Sequence, residues 1–151
     1  MKQQSSRLSQ LIDAPGGLTV AVALKNAETN LAPLRDPALA IIDRHIAVLA
    51  AIDRPGPGEP SDTLDEIYGA ATAIIDCASP FDLDDLCAVA AGLCDLVRDV
   101  SPERPFDWRV PAVYARTMAL LLTLPVEARD QRHQVRKGID AILARKRSPR
   151  D

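Results

Sequence analysis

Apolar residues recur along this chain at intervals of three and four, the spacing of helices that bury one face. Val20, Leu24, Ala27 and Leu31 form the first stripe, behind Thr19 as N-cap, and Pro33 closes it. Asp36-Pro37 reads as a cap followed by proline in the first turn. It opens a second helix with Leu39, Ile42, Ile46 and Leu49 on its apolar side and an end near Asp53. The run Arg54-Pro55-Gly56-Pro57-Gly58-Glu59-Pro60 suits neither helix nor strand and reads as a linker inside one domain. Ser61 or Asp62 then caps a third helix whose buried side is Leu64, Ile67, Tyr68, Ala71, Ile74, Ile75 and Ala78, ended by Ser79-Pro80. Asp82 caps a fourth, from Leu83 to about Val100, with Leu83, Leu86, Ala90, Leu93 and Val97 inward.

The link between the third and fourth helices is too short for anything but an antiparallel hairpin. After the break Ser101-Pro102-Glu103-Arg104-Pro105, a fifth helix starts at Asp107 or Val110 and reaches Leu124, with Pro111 in its first turn. A sixth starts at Pro125 and is amphipathic through Val135, Ile139, Ile142 and Leu143. The predicted fold is all-α: an antiparallel four-helix bundle built from the last four helices, with the two N-terminal helices packed over one side. The domain spans residues 18–147, preceded by a flexible polar arm, 1–17, in which Leu8, Leu11 and Ile12 are the docking candidates, and followed by a disordered tail, 148–151.

Composition agrees with the pattern. Of 151 residues, 23 are Ala and 18 Leu, and only five are aromatic, a choice that suits helix interiors and not strands. A chain of this size buries about 70% of its unfolded surface, so its core needs no disulfide or metal staple. Transmembrane, disulfide-scaffold and coiled-coil-rod architectures are excluded on the same grounds. Cys77, Cys87 and Cys94 lack metal-ligand spacing and read as small buried hydrophobes, which suits a reducing cytoplasm. The first ten residues contain no apolar run that would direct export.

Charge changes the picture more than composition does. The net charge of −3 argues against nucleic-acid binding, but it conceals two opposed segments. From Pro55 to Val97 there is no Lys or Arg and there are nine carboxylates; from Arg129 to Asp151 there are eight basic residues against three acidic ones. Two readings follow: solvated faces that attract each other within the fold, or surfaces for an oppositely charged partner.

Chemistry-bearing constellations are scarce. Two histidines, His45 and His133, exclude a three-histidine metal site, and no glycine-rich phosphate loop occurs. The chain is therefore read as non-enzymatic, with no cofactor and no metal.

The stretch Asp65 to Leu86 resembles the central hairpin of histidine phosphotransfer (HPt) domains, in which H-x-L-K-G-x-A on one helix turns through G-x-F-G-L-x-x-L into the next. Ile74, Ala78, Phe81, Leu83 and Leu86 match the pattern. Thr72 stands at the place of the phosphorylated histidine and Ile75 at that of the lysine; Asp76, Ser79 and Asp82 stand where glycines are usual. A threonine hydroxyl is a poor nucleophile without an added base, so the resemblance implies a bundle of the phosphotransfer type that has lost phosphotransfer. Ser6-Arg7-Leu8, Pro15 to Val20, Ala27 to Leu31, Asp65 to Tyr68 and Leu93 to Leu96 are similar to small alphaproteobacterial chemotaxis proteins of the CheE group. That likeness implies a cytoplasmic accessory to two-component signalling, contacting a response-regulator receiver domain or a histidine kinase.

The expected docking face is the outward side of the third helix: Asp65, Glu66, Gly69, Thr72, Ala73 and Asp76, with small residues around Gly69 permitting close approach. Receiver domains carry an acidic pocket, so this face would meet a more basic surface, or the basic sixth helix would make the contact instead. Two alternatives stand beside this reading. One is active phosphotransfer through His45, at the flank of the second helix's apolar stripe, or through His133, in His133-Gln134-Val135-Arg136-Lys137-Gly138. The other is a homodimer in which the acidic hairpin of one copy meets the basic last helix of another. No membrane or nucleic-acid contact is expected.

Overall fold

The structure is a computed structural model and describes residues 16, 17, 19–56 and 60–147. The expectations placed on residues 1–15, on Leu18 and on the tail 148–151 lie outside the described residues, as does the side chain of Leu143. The described residues are all-helical: α1 (Val20–Leu31), α2 (Arg35–Ala50), α3 (Pro60–Ala78), α4 (Asp84–Arg98), α5 (Val110–Thr123) and α6 (Arg129–Arg147). Short 3-10 turns, Ala32–Leu34 and Ser79–Phe81, follow α1 and α3. The one strand-like contact among them is an isolated bridge between Ser101 and Arg104. By their contacts the residues group into two compact units, Met1–Arg35 and Asp36–Asp151.

In the first unit, the Thr19 hydroxyl accepts the Val22 N–H at 3.4 Å, so the predicted cap starts α1 as expected. The predicted stripe does not become a core. None of the α1 residues is buried, and Val20 and Leu24 are 77% and 61% exposed. Periodicity shows that a face is apolar; it does not supply the surface that covers it.

The second unit holds one hydrophobic core, drawn from five helices. Ile42, Ile46 and Leu49 of α2, Ile67, Ala71 and Ile74 of α3, Leu86, Ala90 and Leu93 of α4, Tyr114, Met118 and Leu121 of α5, and Ile139 of α6 all belong to it. The hairpin of α3 and α4 makes the most extensive pairing, and α4 also meets α5 and α6. Alanines at the seam, Ala70 and Ala71 on α3 and Ala90 on α4, are buried and let the two backbones approach closely.

Four helix starts differ from expectation: α2 begins at Arg35 and α3 at Pro60, so Asp36, and Ser61 with Asp62, lie within the first turns they were expected to cap. Asp82 does not cap α4: it takes the left-handed conformation, φ 57°, at the end of the 3-10 turn, and Leu83 precedes the helix without a side-chain cap. Reversing the chain this tightly needs one left-handed residue, and Asp accepts that conformation better than most residues with a Cβ. Similarly, Pro125 does not begin the last helix. Ala128 N–H bonds back to the Pro125 carbonyl in a turn, and helical bonding starts with Arg132 N–H to Ala128.

Candidate functional site

Asp65, Glu66, Gly69 and Asp76 are exposed on one side of α3, as the three-and-four spacing requires. A Cβ added at Gly69 would meet nothing within 4 Å, so the surface beside it is open. Ala73 is half-buried.

Thr72 departs from the expected outward orientation. Its hydroxyl donates to the Tyr68 carbonyl at 2.9 Å and lies 4.0 Å from the Cys94 sulfur of α4. The side chain thus occupies the flank of the hairpin seam, its proton committed to its own helix backbone. Beside it Arg98 donates to the Tyr68 hydroxyl at 2.6 Å, with its guanidinium carbon 5.3 Å from the ring centroid, so Tyr68 pins α3 to the end of α4.

The cysteines lie along the same hairpin. Cys94 is buried, while Cys77 and Cys87 are half-buried. Burial pushes the thiols of Cys94 and Cys87 above their ordinary value, and for Cys87 the nearby Asp84 carboxylate adds to the rise. Such thiols are poor nucleophiles at neutral pH.

A second constellation sits at the start of α4 and α6. Arg132 is only 6% exposed and is the single buried charged residue among the described ones. Its Nε donates to Asp85 Oδ2 at 3.0 Å, and its Nη1 donates to the carbonyls of Leu121 and Leu124 at 2.8 and 3.0 Å. Those carbonyls belong to the end of α5, where the helix leaves acceptors without intrahelical donors. One guanidinium therefore ties three helices: it caps α5, pairs with α4 and is carried by α6. Arg136 Nη1 lies 3.8 Å from Asp85 Oδ1. Outside this network opens a polar cleft of about 640 Å³, lined by Asp82, Asp84, Arg129, Asp130 and His133 among others. His133 is exposed there; His45, on α2, is half-buried.

The opposed charges are plain in the sequence; their junction is not. Arg129, Arg132, His133 and Arg136 stand at i, i+3, i+4 and i+7, a single basic helix face opposite the acidic first turn of α4, and that spacing was the available signal. Asp85 meets Arg132 and Arg136 of its own chain, so part of the charge complementarity behind the homodimer alternative is satisfied internally.

A cleft of about 740 Å³ that no motif in the sequence marks has walls that include Ile52, Arg54, Leu64, Ser101, Phe106 and Trp108. Phe106 and Trp108 meet edge to face at 5.0 Å, and Asp107 between them holds the Arg109 guanidinium through two 3.0 Å bonds. Among the described residues, no group of three or more His, Cys, Asp or Glu side chains is placed to hold a metal ion. No helix among them is long and apolar enough to cross a membrane. No family model, curated protein or solved structure matches the chain.

Proposed function

We propose that the chain is a non-catalytic adaptor of two-component or chemotaxis signalling, working in the cytoplasm, that binds a response-regulator receiver domain or a histidine kinase through the exposed side of α3. On this reading α3 to α6 form an antiparallel four-helix bundle of the phosphotransfer type. The observation that carries the proposal is the state of Thr72. At the place where an HPt domain presents its histidine, this chain has a hydroxyl bonded to its own backbone beside a buried thiol. The neighbouring Asp65, Glu66, Gly69 and Asp76 remain free to contact a partner. A helical hairpin kept in shape without its nucleophile is a binding surface, not a relay. Its carboxylates select a basic patch on the partner and are repelled by an acidic pocket.

Titration calorimetry against receiver domains and kinases from the same cell tests this. Binding with a Kd of about 1–10 µM is expected, weakened about tenfold by Asp65→Lys with Glu66→Lys. Absence of binding to every receiver and kinase overturns the proposal, and binding indifferent to the double charge reversal removes α3 as the docking face.

Active phosphotransfer through His133 is the second reading, favoured by one observation: His133 is exposed in a cleft shared with the cationic Arg129 and Arg136. Incubation with a phosphorylated receiver would then label the protein, and His133→Gln would abolish the label. The carboxylates of Asp82, Asp84 and Asp130 in the same cleft oppose a phosphoryl group, which places this reading second.

A further inference from the structure

The last helix is held to the rest of its unit differently from α3, α4 and α5. The helices α3 and α4 bury five side chains each and α5 buries six. Among the described side chains of α6 only two are buried, Ile139 and Arg132, and one of these is a charge; half-buried Val135 also packs against the core. Its polar attachments are correspondingly heavy: the three hydrogen bonds of Arg132 and the approach of Arg136 to Asp85.

The seam under α6 is also incompletely filled. The polar cleft of about 640 Å³ opens at its first turns. Midway lies a void of about 60 Å³ beside Val89, Gly92, Tyr114 and Ile139. Further along, a cleft of about 270 Å³ separates Ile142 from Val110 and Val113 of α5. Each gap removes contacts that a close-packed helix would make. Water and ions reach the Asp85 carboxylate, which is 29% exposed in its ion pair with Arg132.

We infer that α6 is a strap latched in large part by the guanidinium groups of Arg132 and Arg136, which opens as a unit while α3, α4 and α5 stay folded and uncovers the apolar surface around Val89 and Tyr114. The inference stands apart from the signalling proposal, since it needs no partner. Its physical signature is salt. Apolar contacts are not weakened by sodium chloride, whereas the screening length falls from about 10 Å at 0.1 M to about 3 Å at 1 M, loosening pairs that solvent reaches. A helix held by apolar burial would ignore that change.

Native-state hydrogen exchange of the full chain provides the test, read by peptide at low salt and at 1 M sodium chloride. Amides of Arg132–Ala144 are expected to exchange at least about tenfold faster than those of Ile67–Leu93 at low salt, and about fivefold faster again at 1 M, with α3 and α4 unchanged. Asp85→Asn should give fast α6 exchange at both salt concentrations. Should that variant fail to fold, Arg136→Gln removes only the more exposed partner and is expected to raise α6 exchange at low salt and shrink the salt response. Equal protection of α6 and α4, a salt response shared by every helix, or α6 exchange indifferent to salt would each overturn the inference.

Discussion

The Arg132 guanidinium and the Asp85 carboxylate, 47 positions apart in the sequence, meet at 3.0 Å where the ends of three helices converge. Arg132→Met removes one charge from a shielded pair and leaves two α5 carbonyls without their donor. Breaking a fully buried pair costs about 3–5 kcal/mol; with Asp85 partly solvated, about 2–4 kcal/mol is expected here. Urea unfolding monitored by circular dichroism checks this. The double variant Asp85→Ala with Arg132→Met should lose less than the sum of the two single losses, because the second change removes a charge already stranded. Additive losses would show that the pair contributes little as a pair.

Burial separates two leucines that look alike in the sequence. Leu93 is fully buried at the centre of the core, and Leu24 is largely exposed on α1. Leu93→Ala should cost about 3 kcal/mol, and Leu24→Ala should stay within about 0.5 kcal/mol. Unfolding midpoints of the two variants, measured on dilute protein, decide it.

That contrast also marks how far the sequence was legible. The stripes of α2, α3 and α4 predicted both the helices and their buried faces, since in each case the apolar side found another within the same unit; for α5 the sequence marked the helix but not its buried side. Ile42, Ile74 and Leu93 are all fully buried. The stripe of α1 predicted its helix equally well, and none of that helix's residues is buried, because periodicity marks an apolar face without supplying a surface to cover it. On α3 the pattern placed Asp65, Glu66, Gly69 and Asp76 correctly at the surface. It set Thr72 outward with them, whereas its half-buried side chain at the edge of that face turns its hydroxyl back onto its own backbone and towards Cys94. The junction at Arg132 was hidden for another reason. An arginine in a polar helix reads as solvated until the ends of α4 and α5 are known to lie beside it.

The shielded thiols give the fold a one-sided pH dependence. Burial raises the native values of Cys94 and Cys87, so at alkaline pH the unfolded chain loses these protons first, and stability falls with rising pH. The loss begins near the unfolded thiol value of about 8.5 and ends once pH passes the raised native values; below about pH 8 these groups contribute no slope. Denaturation midpoints compared between pH 7 and 10 for the natural chain and for Cys87→Ala with Cys94→Ala should show a shallower alkaline decline in the variant. A parallel decline would exclude the thiols as its source.

Gly69 separates the needs of folding from those of binding. It lies within α3, exposed, with open space where a Cβ would project. Alanine there should stabilise the chain by about 0.5–1 kcal/mol, through its better helix propensity and the smaller backbone entropy of the unfolded state. If the exposed side of α3 is the docking face and Gly69 permits close approach, the same substitution weakens partner binding in calorimetry while the unfolding midpoint rises. A gain in both would show that the glycine is incidental to the interface. A loss of stability would show instead that α3 is constrained at this position by something other than its own propensity.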